Sequence, residues 1–357
     1  MRILFLGGPG NISESAIRRF LAKGFPVAAV KRTQDRLIGT APGLSLYYGN
    51  RNERDFLRRV LDEFRPDITV DCTCFEMEQA RTAAAAVRES LCRRFIFIST
   101  ADVYGYPLSR LPMRESDPWR QSLGEYALKK KEIEFFYREA FREGKPYLTI
   151  VRPAYSLGKT FALTSFERDR GAFLVTRLRQ GLPVYSPGDG TTLIDASAAY
   201  NTGMMLARIC ESDATIGEDY NCGHDRATTY DEYIQAFADA AGVRPNIVHI
   251  PTDFMLSLGR KEVEDSILEE LAQHNLYFSV EKFRRQFPDF VWEYSLTDAV
   301  KDFIAYQEAA GGFEGTEKPM FEDRVVQLWQ QEMPGLRCRV QQGLDGGWGT
   351  EHEKRAE

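Results

Sequence analysis

Arg2-Ile3-Leu4-Phe5-Leu6-Gly7-Gly8-Pro9-Gly10-Asn11-Ile12-Ser13 is the stretch that decides the fold. A short apolar run breaks into glycines. An amphipathic pattern then follows, with Ile12, Ala16, Ile17, Phe20 and Leu21 toward one face and Gly24 as its stop. Strand, glycine turn and helix in that order make a phosphate cradle. Glycines admit positive φ and let backbone approach a pyrophosphate, and the helix N-terminus offers unpaired N–H groups. A glycine triplet alone is weak evidence, since a plain structural turn has the same composition. Its place as the first turn of an alternating pattern is what gives it meaning.

The alternation continues. Val27–Val30, Leu46–Tyr48, Ile68–Cys72, Phe95–Ser99 and Leu148–Arg152 are apolar runs. Helical stretches around Phe56–Phe64 and Gln79–Ser90 lie between them. Near-continuous apolar strands indicate a parallel sheet covered on both faces, so the expected class is α/β, a doubly wound parallel sheet. After Pro153 the pattern changes. Residues 160–190 read as loop and are rich in arginine. Helix is expected over 196–211, a short strand at Tyr220–Gly223, helix over 229–241, a strand at Ile247–Ile250 and more helix to about residue 308. We divide the chain into a dinucleotide-binding domain (1–160 and 190–223), a smaller C-terminal α/β substrate lobe (161–189 and 224–310) and an extension (311–357). In that extension a short helix is expected over Arg324–Gln331, with a flexible tail past about 335.

Composition narrows the function classes. The 357 residues are 43% hydrophobic and 27% charged, the globular range. Lys and Arg number 46 against 52 Asp and Glu, a net charge of -6, which gives nucleic acid no support as a partner. No apolar run reaches the length of a membrane span, so no membrane partner is expected. Six scattered cysteines suggest free thiols in a reducing, cytoplasmic setting, and four histidines without ligand spacing give no metal site.

Two positions speak to cofactor choice and chemistry. The second strand ends in Lys31-Arg32, where NAD-binding chains usually carry a carboxylate, and no acid appears before Asp35. Two cations there suit a 2′-phosphate, so NADP is favoured over NAD; a solvated basic strand end is the alternative. Tyr126 and Lys130 are four apart and share a helix face. A phenol ordinarily ionises near pH ~10, so service as a base near neutrality calls for an adjacent cation. The pair gains weight from following the fifth strand, whose end carries Ser99-Thr100-Ala101-Asp102 toward the ligand crevice.

Gly7-x-x-Gly10, Ser99-Thr100-x-x-Val103-Tyr104-Gly105, Tyr126-x-x-x-Lys130, Val151-Arg152-Pro153, Gly188-Asp189-Gly190 and Tyr220-Asn221-x-Gly223 run in order over residues 1–308. In this the chain resembles the extended short-chain dehydrogenase/reductases of the NAD-dependent epimerase/dehydratase type. The resemblance implies a Rossmann fold and a triad of Thr100, Tyr126 and Lys130, with Tyr126 as acid/base. It implies cofactor contacts at Gly7, Gly10, Asn11, Ile12, Lys31, Arg32, Asn50, Cys72, Lys130 and Pro153. Asp102 stands where dehydratases and decarboxylases of the family carry a Glu, so it is a candidate second base; a loop-capping Asp is the alternative. Tyr155 replaces a frequent Asn, and Thr191–Asp195 lacks a frequent Arg, which speaks against an ordinary UDP- or dTDP-sugar.

Arg168, Arg170, Arg177 and Arg179 are candidates to bind an anion instead, or a solvated face; Tyr155 and Phe161 could stack on a ring, or belong to the core. The expected activity is NAD(P)-dependent epimerase/dehydratase chemistry on a sugar- or nucleoside-like substrate, nucleotide-linked or free. An NADPH-dependent ketone reductase is the alternative, and an RNA-associated or cofactor-sensing non-catalytic relative the second. The resemblance also implies a homodimer through the Ala-rich and Tyr-bearing helices, although Ala80, Ala83 and Ala84 suit internal packing equally.

Overall fold

β1 (Ile3–Leu6) shows why the chain folds as it does. Ile3 and Phe5 point to one face of the sheet and Leu4 and Leu6 to the other, and all four are fully buried. A strand buried on both faces needs helices on both. The structure, a computed structural model, describes residues 1–32, 41–120, 124–167 and 170–345. From β1 the chain runs through the glycine turn into α1 (Ser13–Ala22) and β2 (Val27–Lys31). β3 (Leu44–Tyr48), α2 (Arg54–Phe64), β4 (Ile68–Asp71), α3 (Met77–Arg88) and β5 (Arg94–Ile98) follow. A 3₁₀ turn over Ala101–Tyr104 leads toward α4 (Glu125–Ala140) and β6 (Tyr147–Pro153).

The second half contains β7 (Tyr155–Leu157), α5 (Gly171–Arg179), β8 (Pro183–Pro187), β9 (Leu193–Ile194), β10 (Ala196–Ala198) and α6 (Ala199–Glu211). Then come β11 (Asp219–Cys222), β12 (Thr228–Thr229), α7 (Tyr230–Ala241), β13 (Asn246–Ile250), α8 (Thr252–Leu256) and α9 (Lys261–Glu264). α10 (Glu281–Gln286), α11 (Leu296–Ala310) and α12 (Phe321–Asp345) close the fold.

Seven parallel strands form the central sheet in the order β11-β6-β5-β4-β1-β2-β3. β1 pairs with both β2 and β4, and the chain's direction of winding reverses there. That reversal opens a crevice at the strands' carboxyl ends, where doubly wound sheets bind ligands. On one face Ile3 and Phe5 pack with Ile17 and Phe20 of α1 and Leu206 and Ile209 of α6. On the other Leu4 and Leu6 pack with Leu57 and Leu61 of α2, Ala83 and Val87 of α3 and Ile133 of α4. Ala80, Ala83 and Ala84 are buried inside the chain. α1 and α6 touch at Gly203, where an added Cβ would lie 2.1 Å from the Ile12 carbonyl oxygen.

A third core gathers much of the second half of the chain and reaches back to Ala101, Tyr104 and Ala154. β13 pairs in parallel with β8, and Tyr230 and Phe237 of α7 pack with Leu174 of α5 and Phe303 of α11. Residues 160–190, expected as loop, hold α5 and β8. Two of α5's arginines have acids distant in sequence: Arg179 pairs with Glu308 at 2.8 Å, and Arg177 with Asp323.

The extension also departs from expectation. The short helix expected over Arg324–Gln331 is one part of α12, which continues through Pro334 and Gly335 to Asp345. Thr176 and Thr316 hydroxyls meet at 2.6 Å, the Phe166 and Phe321 rings stack at 5.7 Å, and Val326 is buried. Residues 346–357 lie outside the described residues.

Arg177 is the main fastening. Its Nε donates to both Asp323 carboxylate oxygens, at 2.9 and 3.0 Å, its Nη1 to the Thr316 carbonyl at 2.7 Å and its Nη2 to that of Lys318 at 2.8 Å. Arg177→Met should strip those donors and lower the unfolding free energy by about 3 kcal/mol. Urea denaturation reads this directly, and an unchanged midpoint would contradict the fastening role.

Candidate active site

The crevice at the sheet's switch point is a cleft of about 650 Å³. Its floor is the glycine turn with the first turn of α1: Gly7, Gly8, Gly10, Asn11, Ile12 and Ser13. Gly7 has φ +88° and an added Cβ would sit 2.2 Å from Thr73 Cγ2, so only glycine fits. Over Gly10 the space is open, since a Cβ there would meet only Ser13 Oγ, at 3.7 Å. Ser13 Oγ accepts from the Gly10 N–H at 3.0 Å, which gives Ser13 a turn-holding role the sequence reading missed. Asn11 ties this floor to β7, its Nδ2 donating to the Ser156 carbonyl at 2.7 Å.

One wall comes from β4, β5 and β6. Cys72, Thr73, Ser99, Thr100, Asp102, Pro153 and Tyr155 line it, with Tyr126 and Lys130 of α4 above. Lys130 is buried beneath Tyr126, which is 40% exposed. The Lys130 Nζ donates to the Ile98 carbonyl at 3.0 Å and lies 4.7 and 5.0 Å from the Phe75 and Phe97 ring centroids. It is 6.0 Å from the Tyr126 ring centre. Burial pushes its ammonium down to about 8, with the nearby Cys74 thiol and Asp71 carboxylate opposing that shift. An ammonium keeps three donors, so the one bond to Ile98 leaves two for oxygens in the cleft.

Thr100 caps the 3₁₀ turn: its hydroxyl accepts from the Asp102 N–H at 3.3 Å, leaving its own proton for donation. Asp102 Oδ1 accepts from the Tyr155 hydroxyl at 2.9 Å and from that of Tyr106. The two phenols are themselves 3.2 Å apart. Burial, then the Asp102 carboxylate, hold the Tyr106 phenol well above its ordinary value. Tyr155, expected to stack on a ring or to belong to the core, is largely buried yet lines the cleft, and its hydroxyl donates to Asp102. The sequence does not single out Tyr106; four residues from Asp102 but outside any helix, it carries no periodic signal.

The remaining expected residues divide. Lys31 and Arg32 stand at the end of β2, half-buried and exposed respectively, outside the lining of this cleft. Residues 33–40, Asp35 among them, complete that region and lie outside the described residues. Asn50 follows β3, is exposed, and accepts from the Asn52 N–H at 3.0 Å. Arg168 is outside the described residues. Arg177 as a substrate contact is corrected by the fold: its guanidinium is buried against Asp323 and two carbonyls of the extension. Cys72 lines the cleft, while burial pushes its thiol far up and that of Cys74 up to about 12, so both stay protonated at neutral pH. Among the described residues no group of three His, Cys, Asp or Glu could hold a metal ion, and no helix is long and apolar enough to cross a membrane.

These features suit a dinucleotide. The floor pairs an open glycine cradle with the first-turn amides of α1. Ser99 Oγ, on the wall, is buried with no hydrogen-bond partner among the described residues, so it can take a polar group of a bound molecule.

A buried network beneath the cleft fixes these elements. Arg152 donates to Glu134 of α4 through Nε at 2.9 Å and Nη2 at 2.7 Å. Its Nη1 donates to the Tyr104 hydroxyl at 3.0 Å, which donates to Asn221 Oδ1 at 2.7 Å.

Comparison with known proteins agrees with this geometry. The family model of the NAD-dependent epimerase/dehydratase family matches residues 3–223. Among solved structures the chain is similar to the UDP-glucose 4-epimerase of Thermus thermophilus in complex with NAD. That match has 18% identity and a TM-score of 0.67 over 87% of this chain and 100% of that one. It is similar to an epimerase of Methanothermobacter thermautotrophicus, at 16% identity and a TM-score of 0.70 over 87% and 93%. It is also similar to the dTDP-glucose 4,6-dehydratase of Bacillus anthracis in complex with NAD, at 16% identity and 0.66 over 88% and 98%. At these identities the likeness establishes the fold. A search of curated proteins finds no match. The match over residues 3–223 settles the family: the chain belongs to the NAD-dependent epimerase/dehydratase family and is an enzyme of the short-chain dehydrogenase/reductase type.

Proposed function

We propose that this enzyme is an NAD(P)-dependent epimerase or dehydratase that works by transient oxidation of a carbinol on a sugar- or nucleoside-like substrate, with Tyr126 as the acid/base. The observation that carries the reading is the meeting of Tyr126, Thr100 and the buried Lys130 in one cleft floored by the glycine turn. A nicotinamide dinucleotide, when bound, supplies the reversible hydride acceptor that no side chain offers. Gly7, Gly10, Asn11 and Ile12 would hold its pyrophosphate, and Ser99, Lys130, Cys72 and Pro153 its nicotinamide half.

The side chains then divide the proton work. Thr100 donates to the substrate oxygen and fixes its position. Tyr126 Oη removes the carbinol proton and returns it. Lys130 stabilises the phenolate through its charge, and Tyr126 stands in the first turn of α4, where the helix dipole favours an anion. Asp102, with one oxygen shared by two phenols, is read as the acceptor that fixes Tyr155 and Tyr106, not as a second base. UDP-glucose in the Thermotoga maritima UDP-glucose 4-epimerase supports a sugar, nucleotide-linked or free, as the substrate class. Lys31 and Arg32 support NADP over NAD and also favour the second reading, an NADPH-dependent ketone reductase. Stoichiometric loss of NADPH absorbance with substrate would select the reductase; tightly bound oxidised cofactor after purification would select the epimerase.

Three outcomes are expected. Tyr126→Phe should lower turnover by about 10³-fold while cofactor affinity, read by fluorescence titration, stays put; near-normal turnover refutes the acid/base role. Arg32→Asp should weaken NADP relative to NAD by roughly 10- to 100-fold, and an unchanged ratio removes the phosphate clamp. The third concerns Lys130. Its folded pKa of about 8 lies below the ordinary lysine value of ~10.4, so between them the unfolded chain binds the proton and the folded chain does not. That contribution is full above the ordinary value and lost as pH falls through 8. The stability of the wild type should therefore gain on that of Lys130→Met as pH rises through this window, and parallel pH curves would contradict the burial of the charge.

A further inference from the structure

Lys130 is a buried ammonium, and among the described residues its one hydrogen bond runs to the Ile98 carbonyl, at 3.0 Å. A charge so placed needs further compensation or it loses its proton. The ionisable groups that face it supply little. Asp71, at the end of β4, forms a buried ion pair with Arg51 from the turn after β3, accepting from its Nη2 at 2.8 Å. Glu134, one turn along α4, is taken by Arg152, and Glu76, before α3, by Lys129. Burial keeps the Cys72 and Cys74 thiols protonated at neutral pH. What lies against the ammonium is aromatic carbon. Its Nζ is 4.7 Å from the Phe75 ring centre, 5.0 Å from that of Phe97 and 6.0 Å from that of Tyr126. The face of such a ring is electron-rich and attracts a cation within about 6 Å.

Phe97 is fully buried in β5, and core packing alone accounts for it. Core packing does not account for Phe75, which is 43% exposed and lines the cleft from the connection between β4 and α3. Its placement is nonetheless fixed. Its N–H donates to Gln79 Oε1 at 2.7 Å, beside the box that caps α3. The next residue, Glu76, accepts from Lys129 at 2.7 Å. Phe75 and Glu76 thus meet Lys130 and Lys129 in turn, which holds the ring against α4. We propose that Phe75 is a positioning residue whose ring completes an aromatic cage with Phe97 and Tyr126, keeping Lys130 protonated and aimed into the cleft beneath Tyr126. The proposal rests on the reading of Lys130 as the partner of Tyr126. The cage opposes desolvation, so the charged form persists to a higher pH than burial alone allows. A ring also differs from a carboxylate in offering no oxygen to hold the ammonium's protons. Two N–H groups therefore remain for oxygens that enter the cleft.

Urea unfolding of the full chain across pH tests this. It needs neither substrate nor turnover, so it judges the cage separately from the acid/base role, which the turnover of Tyr126→Phe judges. The stability difference between the wild type and Lys130→Met follows the Lys130 titration, with a folded midpoint of about 8. The same difference measured between Phe75→Leu and Phe75→Leu combined with Lys130→Met should show that midpoint lower by about one pH unit. Leucine keeps an apolar cover over the ammonium, so the shift reports the ring. Phe75→Trp, with the stronger ring face, should hold the wild-type midpoint or raise it. A midpoint unmoved by Phe75→Leu overturns the proposal. A midpoint that rises in Phe75→Leu overturns it too, because the ring would then only exclude water. A fall in Phe75→Trp overturns it as well, and that arm stands even where the leucine variant does not fold.

Discussion

Glu134 exposes no surface, and the guanidinium of Arg152 that faces it exposes almost none. Either charge alone in that interior would cost several kcal/mol, so the two elements that carry them must stay in register. Those elements are α4 and β6. Tyr126, Lys130 and Glu134 follow one another at intervals of four, so holding Glu134 fixes the rotation of α4 and with it the direction of Lys130 and Tyr126. The same guanidinium reaches the hydroxyl of Tyr104, the last residue of the turn that starts beyond Thr100. One buried cation thus sets the distance between the helix that supplies phenol and amine and the turn that supplies Thr100 and Asp102. Asp219 accepts a further bond from Arg152 at 3.0 Å, which extends the tie to the edge strand β11.

The first half of the fold was legible because its signals are local. Apolar strands, glycines between them and helical spacing all lie within a dozen residues of one another, and each strand lands within about two residues of its expected place. The second half was less so. Gly171–Arg179 reads as loop because its arginines interrupt the apolar spacing, yet two of them are satisfied by Asp323 and Glu308, 146 and 129 residues away. α12 reads as a short helix over Arg324–Gln331 and a flexible tail past about 335, because the chain there turns polar and Gly-rich, yet the helix runs on through Pro334 to Asp345. A proline removes one helical hydrogen bond without forbidding the next turn.

The site divides the same way. Tyr126 and Lys130 announce themselves by spacing and Gly7 by its turn. The partners that decide what Asp102 touches do not: Tyr106 precedes a loop, and Tyr155 lies 53 residues on, brought beside Asp102 by the pairing of β6 with β5. Arg177 failed as a substrate contact for a related reason. Sequence shows that a cation exists but not which carboxylate has already claimed it.

Asp102 is held on the cleft wall by three hydrogen bonds. A base must offer a lone pair along the line of the C–H bond it attacks. Here one oxygen accepts from two phenols at once, and the residue's own N–H is held by Thr100. The burial that raises the Tyr106 phenol keeps that proton on the oxygen and the bond in place. The carboxylate thus holds two hydroxyls on the cleft wall. The side chain of Tyr126, by contrast, is 40% exposed at this cleft, above the buried Lys130.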